Sequence, residues 1–142
     1  MSVRFYVDAD LLGVAHVLAD LRADVTYPGD PGGTVKRRNR PPCRVQSPGV
    51  PDHEWLPEVG RNGWAVLTRD RRIERRPAER QAVIAYGVKL FAITSAEQLD
   101  KWRQLEIIMS RWRDVERLAD RQGPFIYRLT RTSVTPLLSP PS

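Results

Sequence analysis

The chain has 142 residues, 41% of them apolar and 28% charged, which suits one globular domain with a hydrophobic core and leaves no room for a second. Its single cysteine, Cys43, excludes an internal disulfide framework and a cysteine-built zinc site, and points to a reducing compartment. The net charge of +6 is carried largely by arginine and gathers in two connecting segments, net +4 over residues 28–49 and net +3 over residues 69–80, the footprint of a surface that meets an acidic polymer.

Residues 3–7 are a β-branched and aromatic run, apolar on both sides, and predict a buried strand ending at Asp8. No basic segment with a long apolar stretch precedes it, and no apolar run reaches the roughly 18 residues that span a bilayer, so a cytoplasmic protein is expected. Leu11, Leu12, Val14, Ala15, Leu18 and Leu21 recur at helical spacing up to Arg22. A second strand over 23–27 is broken by Pro28-Gly29. Residues 28–49 hold five prolines, four glycines and the run Lys36-Arg37-Arg38-Asn39-Arg40, with almost nothing apolar to bury, and predict a loop that is disordered or ordered by a partner.

Pro51 marks the start of a helix that closes at Asn62-Gly63, and residues 64–68 form the third strand. Pro77 suits a first helical position, residues 78–86 follow as helix, and Gly87 stands where a left-handed cap is needed before a strand over 88–93. Ser95 and Gln98 have the spacing of a capping box. Behind them Leu99, Trp102, Leu105, Ile108, Met109, Trp112, Val115 and Leu118 predict a long amphipathic helix whose tryptophans belong to the core. Residues 125–130 are extended and suited to a sheet edge, and residues 132–142 are expected to be a mobile tail. Alternating strands and helices make this an α/β chain with a mainly parallel sheet and helices on both faces, so function belongs at the carboxyl ends of the strands.

That edge is where acids gather. Asp8 ends the first strand and Asp70 the third, Asp10 follows Asp8 by two residues, and Asp52 with Glu54 opens the helix that leads into the third strand. Two carboxylates about 4 Å apart repel by roughly 4 kcal/mol at an effective dielectric near 20, and three such pairs rival the roughly 5–15 kcal/mol that holds a domain together. A hard divalent cation removes the conflict. Oxygen donors with no histidine or cysteine cluster select Mg²⁺ or Mn²⁺, which suits hydrolysis of a phosphodiester. Structural roles compete: Asp10 is placed to cap the first helix, Asp52 and Glu54 to favour a helix N-terminus, and Asp70 to end a strand. Glu74 and Asp30 read as ion-pair partners of nearby arginines, and His16 and His53 as surface or groove residues.

Phe5-Tyr6-Val7-Asp8-Ala9-Asp10, then Asp52-His53-Glu54-Trp55-Leu56, then Ala65-Val66-Leu67-Thr68-Arg69-Asp70 resemble, in order and spacing, the PIN-like domains of small proteins related to VapC-type toxins. The resemblance covers roughly residues 3–94. It implies a three-layer α/β/α sandwich over residues 1–131 with 28–49 as an insertion, and Mg²⁺- or Mn²⁺-dependent ribonuclease activity. It further implies a protein antitoxin as partner, with a homodimer compatible. Carried over by position, Asp8, Asp52 and Asp70 match the metal-binding acids, with Asp10 and Glu54 in support. Arg69, Arg71 and Arg72 would face RNA phosphates, as would Arg37, Arg38 and Arg40 of the basic loop, since guanidinium forks match phosphate oxygens. Two features depart from the pattern: the acid many such nucleases carry shortly after the third has only Glu74 to match it, and the basic loop is longer than compact members need. The competing function is a catalytically inactive PIN-like module that binds RNA or a partner protein.

Overall fold

The structure, a computed structural model, describes residues 3–69, 75–93 and 99–141. Strand β1 (Phe5–Val7) is followed by one 3-10 turn (Ala9–Leu11), helix α1 (Leu12–Leu21) and the short β2 (Val25–Thr26). A hairpin of β3 (Gly33–Val35) and β4 (Arg38–Arg40) precedes α2 (Asp52–Asn62), β5 (Ala65–Arg69), α3 (Pro77–Tyr86) and β6 (Lys89–Ile93). The chain ends with α4 (Lys101–Ala119), β7 (Phe125–Leu129) and β8 (Val134–Leu138). Six strands form one sheet in the order β2-β1-β5-β6-β7-β8, parallel throughout except for β8.

Alternation along the strands divides the core in two. Phe5, Val7, Leu67, Phe91 and Phe125 face α1 and α4, where they meet Val14, Leu18, Ile108 and Val115. Tyr6, Val66, Leu90 and Ile126 face the other way, onto Trp55, Leu56, Val59 and Val83 of α2 and α3. The result is the expected α/β/α sandwich. Gly63 and Gly87, with φ of 68° and 66°, end α2 and α3 in the left-handed conformation that the glycine positions predict. Gly60 lets α2 and α3 close up, because a Cβ there would collide with the Tyr86 carbonyl.

Three expectations are corrected. Residues 28–49 are not an unstructured loop: they carry the hairpin, and Cys43 and Val45 are buried in the α2-side core. The anchor is an ion pair that hydrophobic patterning cannot register. Asp30 accepts from Arg40 Nε at 2.7 Å and Nη2 at 3.2 Å, from the Thr26 hydroxyl at 2.8 Å and from the Gly32 amide at 2.9 Å. Arg40 Nη1 donates to the Ala19 carbonyl at 3.2 Å, near the C-terminus of α1. Second, the segment expected to be a mobile tail contributes β8, which pairs antiparallel with β7 and so places β7 inside the sheet. Third, α4 begins after Asp100, whose carboxylate accepts from the Arg103 amide at 2.8 Å; Ser95 and Gln98 lie outside the described residues. Of its tryptophans, Trp112 packs on Phe5, but Trp102 is 77% exposed, and Met109 is exposed on the same side. The apolar stripe is wider than the sheet can cover, and its surplus forms a surface groove with Val17 and Leu21 of α1.

The anchor of the hairpin generates a stability prediction. Arg40→Met strands a buried carboxylate and is expected to cost about 3–5 kcal/mol in urea denaturation. Adding Asp30→Asn, which removes the stranded charge, is expected to recover a large part of that loss.

Candidate active site

The carboxyl edge of the sheet is assembled by the register of β1 against β5. Val7 lies opposite Leu67, and the Asp8 amide donates to the Leu67 carbonyl at 2.9 Å, so the next residues of the two strands, Asp8 and Thr68, meet. Asp8 is 4% exposed and Thr68 5%. The Thr68 hydroxyl lies 2.9 Å from Asp8 Oδ2 and 3.2 Å from Asp10 Oδ2, and the Arg69 amide donates to Asp10 Oδ2 at 3.3 Å. Asp8 also accepts from the Ala9 amide at 2.6 Å. It is therefore Asp8 that caps the first turn, while Asp10 reaches across to the end of β5. Because a hydroxyl has one proton to give, Thr68 links both carboxylates through a single donor and holds them side by side.

Beneath this pair lies Tyr6, fully buried and stacked on Trp55 at 5.3 Å and Trp64 at 6.1 Å between ring centroids. Its hydroxyl has no hydrogen-bond partner among the described residues. Burial foremost, then the charge of Asp8 and, more weakly, Cys43, Asp52 and Asp10, pushes the phenol above its ordinary range and keeps it neutral. Trp55, stacked on Tyr6, also ties this floor to Asp52 through its indole N–H.

Asp52 opens α2, as its sequence position predicts, and accepts from the Trp55 indole at 2.9 Å. It also borders a groove of about 460 Å³ between α2 and α3, with His53, Arg76 and Glu79. Glu54 points elsewhere, into a groove with Arg44, Gln46 and Glu58. Among the described residues, no three histidine, cysteine or acidic side chains come together closely enough to hold one ion. The structure thus brings Asp8 and Asp10 together, sets Asp52 nearby and turns Glu54 away. Asp70, Arg71, Arg72 and Glu74 lie outside the described residues.

The arginines also separate. Arg69 ends β5 with its amide on Asp10. Arg40, grouped with the phosphate-facing residues by sequence, is 8% exposed and committed to Asp30, because the hairpin folds inward at that position. Arg37 sits in the hairpin turn, and Arg38 borders a cleft at the opposite, amino-terminal edge of the sheet. Sequence reasoning assigned no role to Thr68 or Tyr6. The available signal for Thr68 was its place next to Arg69-Asp70 at the end of a strand predicted to run beside β1.

A sandwich with a parallel sheet and paired aspartates at its carboxyl edge defines the class of domain to which this chain can be compared. The sequence model of the family described as "PIN like domain" matches residues 3–95, and the chain belongs to that family. The match ends before α4, β7 and β8. Neither a curated protein nor a solved structure matches the chain. PIN-like domains are nuclease-type domains that generally depend on a divalent metal.

Thr68→Val tests the bridge directly. It takes the shared donor from two carboxylates at a buried position, and is expected to lower stability by about 1–3 kcal/mol at neutral pH in chemical denaturation, whereas Thr68→Ser is expected to stay near wild type.

Proposed function

We propose that the chain is a Mg²⁺- or Mn²⁺-dependent endoribonuclease, and within that class the toxin component of a toxin-antitoxin pair that acts in the cytoplasm. The observation that carries the enzymatic reading is the convergence of Asp8 and Asp10 on Thr68 at the carboxyl edge of a PIN-like sheet. Oxygen donors of this kind fit a hard cation, and Mg²⁺ in particular is commonly held by one or two carboxylates while keeping waters and substrate phosphate oxygens. Asp8 and Asp10 would hold the ion, with Asp52 as a supporting acid and Asp70 assigned on sequence grounds; Glu54, which lines the groove with Arg44, drops out of the set. A bound cation activates water and neutralises charge on a phosphoryl oxygen.

The protein's own contribution is placement. Thr68 and the Arg69 amide hold Asp10 beside Asp8, so both carboxylates already face the same point when substrate arrives. The unpartnered Tyr6 hydroxyl offers a buried neutral donor on the protein side of the pair. Arg69, Arg71 and Arg72 would take the phosphates flanking the cleaved bond as forked donors. The toxin role rests on the resemblance of the three acidic motifs to toxin-related domains, and an antitoxin protein and a second copy of the chain are the partners it brings.

One observation favours a second reading. Glu54 lines the groove with Arg44, Gln46 and Glu58 instead of joining Asp8 and Asp10, which suits a PIN-like module that binds RNA or a protein without cleaving.

Two measurements separate these readings. Asp8→Asn and Asp70→Asn are each expected to abolish Mn²⁺-dependent cleavage of single-stranded RNA while the protein stays folded. Saturating Mg²⁺ or Mn²⁺ is expected to raise the melting temperature of the wild type, by an amount equivalent to about 2.7 kcal/mol at a hundredfold excess over Kd. Asp70→Asn is expected to erase most of that gain. A folded wild type that cleaves no RNA pool and melts at the same temperature with either metal is the binding module.

A further inference from the structure

The hairpin borders the amino-terminal edge of the sheet. Its residues Val35, Lys36 and Arg38 border a cleft of about 450 Å³ with Arg4, Arg22 and Asp24, at the ends where β1 and β2 begin. Arg4 and Asp8 bracket β1, so at a rise of about 3.3 Å per residue the cleft and the carboxylates stand roughly 13 Å apart on opposite edges of the sheet. Four cations and two carboxylates, Asp24 and Glu116, line the cleft, and both carboxylates are engaged by Arg22.

Three features make this more than a solvated basic face. The two inner guanidiniums are fixed in place. Arg22 lies over the Trp112 ring at 4.9 Å and donates to both Asp24 oxygens at 2.9 Å, while Arg4 lies over Phe5 at 5.1 Å and donates to Asp120 at 2.9 Å. Each guanidinium carries five N–H donors, so donors remain on both after these bonds. The outer wall is a hairpin held by the buried Asp30–Arg40 pair, which keeps Lys36 and Arg38 in position. Its turn places Lys36 and Arg37 at φ of 50° and 67°, where Asn-Gly would cost least, so two basic side chains occupy positions that disfavour them by roughly 1 kcal/mol or more each.

We infer that this cleft is a second backbone-phosphate site for single-stranded RNA, remote from the carboxylates, so that one strand passes from the acidic edge around β2 to the hairpin. The inference rests on the ribonuclease reading for the identity of the polymer, but its geometry is independent of catalysis. His16 and Tyr27, packed edge to face at 5.0 Å, join α1 to the end of β2, on the side the strand would follow. Phosphates in the cleft would be met by Arg4 and Arg22 from within and by Arg38 from the hairpin through their guanidinium N–H groups, and by Lys36 as a point charge.

The test is the length dependence of binding. In an Asp8→Asn background, which prevents cleavage during the measurement, Lys36→Glu combined with Arg38→Glu is expected to weaken binding of an oligoribonucleotide of about 20 nucleotides roughly tenfold and to lower its log-log salt slope by about 1.4. A trinucleotide, too short to span both edges, is expected to lose far less affinity than the long strand, because it can still bind at the acidic edge alone. Both substitutions are at exposed positions, and an unchanged melting curve verifies the fold. Wild-type affinity and salt slope on the long strand would overturn the inference even where the enzyme cleaves RNA. Loss of poly-glutamate binding with RNA affinity retained would overturn it too and assign the cleft to an acidic protein segment. Conversely, a length-dependent loss of RNA binding in a protein that never cleaves supports the second site and removes only the nuclease reading.

Discussion

The pairing of β1 with β5 is the constraint on which the rest depends. Three residues of β1, all fully buried, set the register, and the amide of Asp8 continues the ladder one step beyond the strand. Slipping that register by one residue would turn Phe5 and Val7 out of the α1–α4 core and Tyr6 out of the opposite one, a loss on both faces at once. Hydrophobic packing thus enforces a polar alignment it takes no part in. Asp8 and Thr68 meet because apolar side chains on either face leave the strands no other way to pair.

The same layering explains how two carboxylates persist in a confined position. Asp8 has an amide and a hydroxyl as donors, and Asp10 shares that hydroxyl and adds the amide of Arg69. These donors are backbone groups and a short side chain at strand ends, so little conformational freedom is lost in presenting them. Below them, the aromatic stack of Tyr6 with Trp55 and Trp64 forms a rigid floor, and the Trp55 indole holds Asp52 at the head of α2. The acidic edge is therefore built on elements whose positions are dictated by the core.

Charge is organised differently at the two edges of the sheet. At the carboxyl edge acids cluster around a shared donor; at the amino edge arginines are stacked on aromatic rings and joined to Asp24 and Asp120. Between them runs the insertion, held by a buried ion pair. Such a pair contributes little net stability against a hydrophobic equivalent, but breaking it is costly, which gives the hairpin one position instead of many. The basic cleft beside the hairpin is in this way separated from the acidic edge by the length of β1.

By itself, the sequence determined the alternation of strands and helices, the ends of α2 and α3 at Gly63 and Gly87, the mainly parallel sheet and the family, because periodicity, caps and motif order are local properties of the chain. It also placed Asp8 at the carboxyl edge of the sheet, since the end of a parallel strand in an α/β chain can be read without knowing its neighbours. Only the tertiary structure decided that Arg40 turns inward to Asp30, ten residues away and with no hydrophobic signal between them. It likewise decided that Glu54 lines a groove with Arg44 while Asp10 reaches Thr68, since the direction of a side chain at a helix start depends on what packs beside it. Trp102 and Val134–Leu138 make the same point from opposite sides: a stripe can be apolar beyond the width of the sheet available to bury it, and a segment rich in polar residues and proline can still become a strand when β7 presents an unpaired edge. Composition and spacing report what a residue is suited to. Whether it is buried, paired or exposed is settled by which surfaces the rest of the chain leaves uncovered.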